Sequence, residues 1–154
     1  MSKITVLGGS GAVGSVAAET LVSSGIFSEV VLADARLEQA KRLVKALDSK
    51  KVSAVKFDAG KPKSIRDAIA GSKVVLNCVG PFYKYGPLIL KAVIDSKINY
   101  VDVCDDFDAT QEMLGMDKAA KKAGVSALIG MGSSPGIANV LVRFCADSML
   151  DRVE

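Results

Sequence analysis

The chain is predicted to fold as an α/β domain with a doubly wound parallel sheet, and three observations predict it. Apolar, strand-like runs begin near Ile4, Val30, Val52, Val74, Asn99 and Ser126, spaced by roughly 20 to 27 residues. Helix-patterned segments lie between them, and that alternation implies parallel strands with helices on both faces. Finally, the first run, Lys3-Ile4-Thr5-Val6-Leu7-Gly8, leads directly into Gly9-Ser10-Gly11-Ala12-Val13-Gly14, which opens a helical pattern.

That glycine loop is a G-x-G-x-x-G fingerprint with a strand before it, a helix after it and an acid, Asp34, 20 residues beyond its last glycine. Gly9 is expected to allow the turn off the strand, Gly11 to let the backbone approach a pyrophosphate, and Gly14 to let the helix pack closely. Gly8, Gly11 and Gly14 also read as G-x-x-G-x-x-G, and either register describes a phosphate loop. The helix N-terminus then offers free N–H groups to phosphate oxygens. Val13, Val16, Ala17, Thr20 and Leu21 recur at helical spacing and are expected to face the sheet. The combination predicts a Rossmann fold with strand order 3-2-1-4-5-6. The competing reading is a glycine-rich turn that binds nothing.

Punctuation marks the remaining elements. Gly25, Gly71 and Gly124 sit where helices should end. Pro62, Pro87 and Pro135 sit where helices should begin. Asp108 with Gln111 reads as a capping box for a single helix running to Gly124.

Composition removes several function classes. The 154 residues fit one domain, and a hydrophobic content of 49% suffices for its core. A net charge of +3 with dispersed lysines argues against nucleic acid as partner. Three cysteines, Cys78, Cys104 and Cys145, lack C-x-x-C spacing, which argues against a disulfide framework or a zinc site and for a cytoplasmic location. No apolar run reaches membrane-spanning length. The chain has no histidine, so any acid or base it uses is a lysine, a tyrosine or a carboxylate.

Candidate ligands follow the strands, because in this topology a dinucleotide lies across their carboxyl ends beside strand 1. Gly9, Ser10, Gly11, Ala12, Val13 and Gly14 form the phosphate loop. After strand 2, Asp34, Ala35 and Arg36 meet the adenosine ribose. Asp34 favours NAD by repelling a 2′-phosphate, although Arg36 can accommodate one, and Asp34 also reads as a helix N-cap. Asp58 after strand 3 is either a neighbour of adenine or a turn former. After strand 4, Val79 and Gly80 are expected to touch the middle of the cofactor, followed by an aromatic loop from Pro81 to Pro87. Asp102, Asp105 and Asp106 follow strand 5; neighbouring acids do not converge by spacing alone, and no metal is expected there. A second glycine loop, Gly130 to Gly136, follows strand 6, with Ser134-Pro135 suited to starting a helix.

Gly8 to Gly14, Asn77-Cys78-Val79-Gly80-Pro81-Phe82-Tyr83 with Tyr85-Gly86-Pro87, Asn99-Tyr100-Val101-Asp102, and Gly132-Ser133-Ser134-Pro135-Gly136-Ile137-Ala138-Asn139 together resemble the N-terminal part of saccharopine dehydrogenase-like oxidoreductases. The resemblance covers nearly the whole chain. It implies an NAD(P)-binding domain over residues 1–134, with Gly9, Gly11, Gly14, Asp34, Arg36, Val79, Gly80 and Pro81 as cofactor contacts. It also implies that residues 135–154 lead to a larger second domain, absent from this sequence, that supplies substrate contacts and a homodimer interface. Asp151-Arg152-Val153-Glu154 would begin its first strand, so these 154 residues are expected to bind cofactor without turnover. The implied reaction is hydride transfer between nicotinamide and an amine or imine derived from an amino acid, with catalytic residues unassigned.

Two other classes compete with this reading. A short-chain reductase needs a tyrosine with a lysine four residues later, but Tyr83, Tyr85 and Tyr100 are followed there by Pro87, Ile89 and Cys104. A regulatory nucleotide-sensing module without catalysis shares the glycine loop and the acid. The aromatic stretch after strand 4 and the second glycine loop fit it poorly.

Overall fold

A computed structural model describes residues 2–150 of the chain. Six parallel strands, β1 (Lys3–Leu7), β2 (Glu29–Asp34), β3 (Val52–Lys56), β4 (Val74–Asn77), β5 (Asn99–Asp102) and β6 (Ala127–Leu128), form one sheet in the order β3-β2-β1-β4-β5-β6. This is the predicted doubly wound Rossmann topology, and the strands begin within one residue of the predicted starts. The register sets Leu7 beside both Ala33 and Asn77, and Asn77 beside Asp102. The carboxyl ends of the central strands therefore form one edge.

Helices α1 (Ala12–Ser24) and α2 (Leu37–Leu47) cover one face of the sheet; α3 (Pro62–Ile69), α4 (Phe82–Asp95), α5 (Phe107–Leu114) and α6 (Asp117–Ala123) cover the other. Alternate strand residues divide accordingly: Ile4, Val6, Val30 and Leu32 join Ala18 and Ala40, whereas Leu7, Ala33, Val75 and Tyr100 join Ile65, Ile89, Leu90 and Met113. Coverage is uneven. On the α1 side the buried cluster stops short of β5 and β6, where Leu128 is 54% exposed. The last helix, α7 (Ala138–Ser148), buries none of its residues.

Several expected details differ. Val13 and Val16 of α1 are 54% and 62% exposed, while Gly14 and Ala18 are buried against the sheet, with Leu21 and Val22 packed beside them. Both faces of this helix carry apolar residues at helical spacing, and the face with the smallest side chains wins because it permits the closest approach. Pro87 does not start a helix: α4 begins at Phe82, and Pro87 lies buried inside it. Pro81 occupies the N-cap, so the expected aromatic loop is largely the first turns of α4, stabilised by burial of Phe82. Asp108 does not cap its helix either. Asp106 does, with its carboxylate accepting from the Ala109 N–H at 2.9 Å, and the expected single helix divides at Gly115-Met116 into α5 and α6. Ser134-Pro135 lies within a wide turn, Ser133–Ile137, that precedes α7, and no side chain caps that helix. Gly25 and Gly124 do end α1 and α6 in the left-handed conformation, at φ of 68° and 69°. The strand expected from Asp151 lies outside the described residues.

Candidate functional site

The phosphate loop is built around Gly8 and Gly14. Gly8 has a φ of +73°, and a side chain there would meet the Cys78 carbonyl oxygen at 3.0 Å. A Cβ on Gly14 would lie 2.2 Å from the Gly8 carbonyl oxygen, so only glycine lets α1 start this close to β1. The turn conformation thus belongs to Gly8, whereas Gly9 is constrained by close approach to Leu32. Gly11 donates to the Gly8 carbonyl at 3.0 Å and occupies the N-cap of α1, where no side chain caps the helix and no acid occupies its first turn. The leading N–H groups therefore keep the partial positive charge that suits an anion.

A cleft of about 320 Å³ opens beside this loop, lined by Gly8, Gly11, Asp34, Ala35, Arg36, Phe57, Asp58, Ala59, Cys78, Val79, Gly80 and Tyr85. It spans the ends of β2, β1, β4 and β3, which includes the switch point between β1 and β4. Of the residues singled out from the sequence, Gly11, Asp34, Ala35, Arg36, Asp58, Val79 and Gly80 line it. Ala12 and Val13 instead line a broad apolar recess on the α1 side, with Val16, Val103, Met131 and Ile137. Gly9, Ser10, Gly14 and Pro81 shape the loops without lining the cleft.

Asp34 is buried, and its carboxylate faces the protein. Oδ2 accepts from the Ser10 N–H at 3.0 Å and the Ser10 hydroxyl at 2.7 Å; Oδ1 accepts from the Arg36 N–H at 2.9 Å, with the guanidinium Nε 3.8 Å away. Burial acts to raise its pKa, but these hydrogen bonds from Arg36 and Ser10 prevail and hold it below the ordinary aspartate value. The sequence-based preference for NAD assumed a carboxylate free to accept from ribose, and most lone-pair sites of this one are occupied. The Arg36 side chain, by contrast, is 63% exposed at the cleft. Gln39 of α2, unremarked in the sequence, donates to the Ser10 carbonyl at 3.0 Å and braces the same loop. Its only sequence signal is its place in the first turn of the helix after Asp34.

Asp58 forms a turn and also borders the cleft. It lines the cleft, accepts from the Gly60 N–H at 3.0 Å and pairs with Lys61 at 3.0 Å. Tyr85 reaches the cleft from α4 with the Lys84 ammonium 5.1 Å from its ring centre, while Tyr83 is exposed. Cys78 is partly buried, which together with the charge of Asp102 pushes its thiol up to about 11 and disfavours the thiolate at neutral pH.

The three acids at and after the end of β5 do not converge. Asp102 is buried at the carboxyl end of that strand, Asp105 borders the apolar recess and Asp106 caps α5. Among the described residues no trio of histidine, cysteine or carboxylate side chains is placed to hold a metal ion. No helix among them is long and apolar enough to cross a membrane.

An uncapped helix behind a glycine turn, an acid closing β2 and a cleft at the switch point define the class: a nucleotide-binding Rossmann domain. More narrowly, residues 4–128 match the saccharopine dehydrogenase NADP binding domain family, and the chain belongs to it. A saccharopine dehydrogenase-like oxidoreductase of Rattus norvegicus is 32% identical over 85 residues, covering 54% of this chain and 20% of that protein. The carboxyaminopropylagmatine dehydrogenase of a Synechocystis strain is 24% identical over 164 aligned positions, covering 99% of this chain and 40% of that protein. The structure of apo saccharopine dehydrogenase (L-Glu forming) from Saccharomyces cerevisiae shares the fold at a TM-score of 0.79 and 22% identity, covering 96% of this chain and 31% of that one. The chain thus spans well under half the length of these curated relatives.

Proposed function

We propose that this chain is the NAD(P)-binding domain of an oxidoreductase that transfers hydride between nicotinamide and an amine or imine derived from an amino acid. The observation that carries the reading is the uncapped N-terminus of α1, held by Gly8 and Gly14 beside the cleft that Asp34, Arg36, Val79 and Gly80 line. These residues fit a dinucleotide. The α1 N–H groups receive the pyrophosphate, Asp34 holds the loop through Ser10, and Val79-Gly80 presents backbone to the cofactor's middle. Nicotinamide, when bound, supplies the hydride chemistry. The amine-type substrate is supported by the family and by relatives named for saccharopine and carboxyaminopropylagmatine.

Substrate contacts and the catalytic acid or base belong, in this reading, to a second domain joined through α7, whose Val140, Leu141 and Phe144 are exposed apolar side chains, and the whole protein is a cytoplasmic homodimer. The choice between NAD(H) and NADP(H) turns on Asp34 and Arg36. With Asp34 occupied by Ser10 and the Arg36 N–H, and its charge offset by the guanidinium, we read Arg36 as the discriminating group and NADP(H) as the preferred cofactor. Titration with NADH and NADPH, followed by nicotinamide fluorescence, tests both levels. Binding of NADPH more tightly than NADH supports the whole reading. Tighter NADH returns the preference to Asp34, and absence of binding by either at millimolar concentration defeats the dinucleotide assignment.

A further inference from the structure

We infer that Asp102 is a positioning residue for the nicotinamide half of the cleft, locking the loops that follow β4, β5 and β6 through a buried cluster of Asp102, Tyr100 and Asn77. The inference rests on the dinucleotide reading above. Asn77 and Asp102 pair in register at the carboxyl ends of β4 and β5, and both are 0% exposed. Asn77 Oδ1 accepts from the Val79 N–H at 3.0 Å and so fixes the first loop. Its Nδ2 donates to the Tyr100 hydroxyl oxygen at 2.9 Å. Asp102 Oδ1 accepts from the Cys104 N–H at 3.0 Å and from the Gly130 N–H at 2.7 Å, and its main-chain carbonyl accepts from the Met131 N–H at 2.8 Å. One residue thus anchors both the second and the third loop.

The other carboxylate oxygen is the informative atom. Asp102 Oδ2 is buried without a hydrogen-bond partner, and none of the ion pairs among the described residues includes Asp102. Burying a carboxylate without a cation is unfavourable, and an asparagine could receive the same two N–H groups at lower cost. The neighbouring donor is the Tyr100 hydroxyl, whose oxygen already accepts from Asn77 and whose own proton remains to be placed. Burial and the Asp102 charge push that phenol well above its ordinary pKa, so it keeps its proton beside the buried carboxylate. The three loops joined in this way, at Val79, Cys104 and Gly130–Met131, lie on the β4-β5-β6 side of the switch point, where the nicotinamide half of a dinucleotide extends.

The test compares ligands that differ only in nicotinamide. NADPH and 2′-phospho-ADP-ribose, with NADH and ADP-ribose as a second pair, are titrated against the parent chain, Asp102→Ala and Tyr100→Phe by calorimetry. Asp102→Ala is expected to weaken the dinucleotide about tenfold, the scale of one lost buried acceptor, while the ligand lacking nicotinamide changes by less than about twofold. Tyr100→Phe keeps the ring in the core and should show the same split at about threefold, and it decides the matter alone if Asp102→Ala does not fold. A merely structural role lowers the unfolding midpoint without separating the two ligands. Equal weakening of both ligands, or of neither, overturns the inference; failure of the parent chain to bind any of the four overturns the dinucleotide reading instead.

Discussion

The two ends of the strand edge use the same device in different electrostatic surroundings. Asp34 closes β2 and Asp102 closes β5, and each turns its carboxylate onto backbone N–H groups of a glycine-containing loop. At Asp34 both oxygens are satisfied and a guanidinium stands 3.8 Å away, within reach of the cleft. At Asp102 the carboxylate is buried, no cation among the described residues pairs with it and one oxygen lacks a hydrogen-bond partner. The first end therefore stays charged at the border of the cleft. The second end is tuned to hold loops together from beneath.

The largest test of this contrast is Gly14→Ala. Its new Cβ must displace the Gly8 carbonyl, so dinucleotide binding should fall below detection and stability by about 1–3 kcal/mol. Retention of tight binding in that variant, measured by nicotinamide fluorescence, would show that the loop is not the phosphate cradle. Next comes Asp34→Ala, expected to cost roughly 1–3 kcal/mol in urea unfolding because the Ser10 and Arg36 N–H groups lose their acceptor.

The pH response of Asp34 sharpens the comparison. Its folded pKa lies below the ordinary value of 3.8, so its stabilising contribution is complete above that value and is lost as pH falls through the folded pKa. Urea midpoints between pH 7 and pH 3 should fall less steeply in Asp34→Asn than in the parent chain. Parallel slopes would mean that the Ser10 and Arg36 hydrogen bonds do not favour the charged form.

Arg36→Ala should erase most of any preference for NADPH over NADH, about tenfold, while leaving stability within about 0.5 kcal/mol. A preference that survives the substitution would move recognition of the 2′-phosphate to another residue. Smallest of all is Lys63→Ala, in the first turn of α3 and outside the lining of the cleft. It breaks a surface pair with Asp67 that is worth less than about 0.5 kcal/mol, and a larger loss in thermal unfolding would show that exposed pairs matter here more than solvent screening allows.

Legibility in the sequence followed the range of the interactions. The glycine loop, the strand starts, Pro62 at the head of α3 and the helix-ending Gly25 and Gly124 were all readable, because each depends on residues a few positions away. The seven cleft-lining residues singled out from the sequence were readable because topology places strand-end residues together. The orientation of α1 was not, since Val13-Val16 and Gly14-Ala18 offer competing faces that only the sheet can choose between. Neither was the start of α4, where burial of Phe82 outweighed the usual meaning of Pro87.

By itself the sequence determined the α/β alternation, the parallel sheet and the presence of a phosphate loop ahead of an acid, because periodicity and glycine sterics act locally. Tertiary structure alone decided what the acids do. Asp34 meets Ser10 across 24 residues, Asn77 meets Tyr100 across 23 and Asp102 meets Gly130 across 28. A carboxylate at the end of a strand can face ligand, solvent or loop. Which one it faces depends on the register of neighbouring strands and on the N–H groups that their folding leaves without partners.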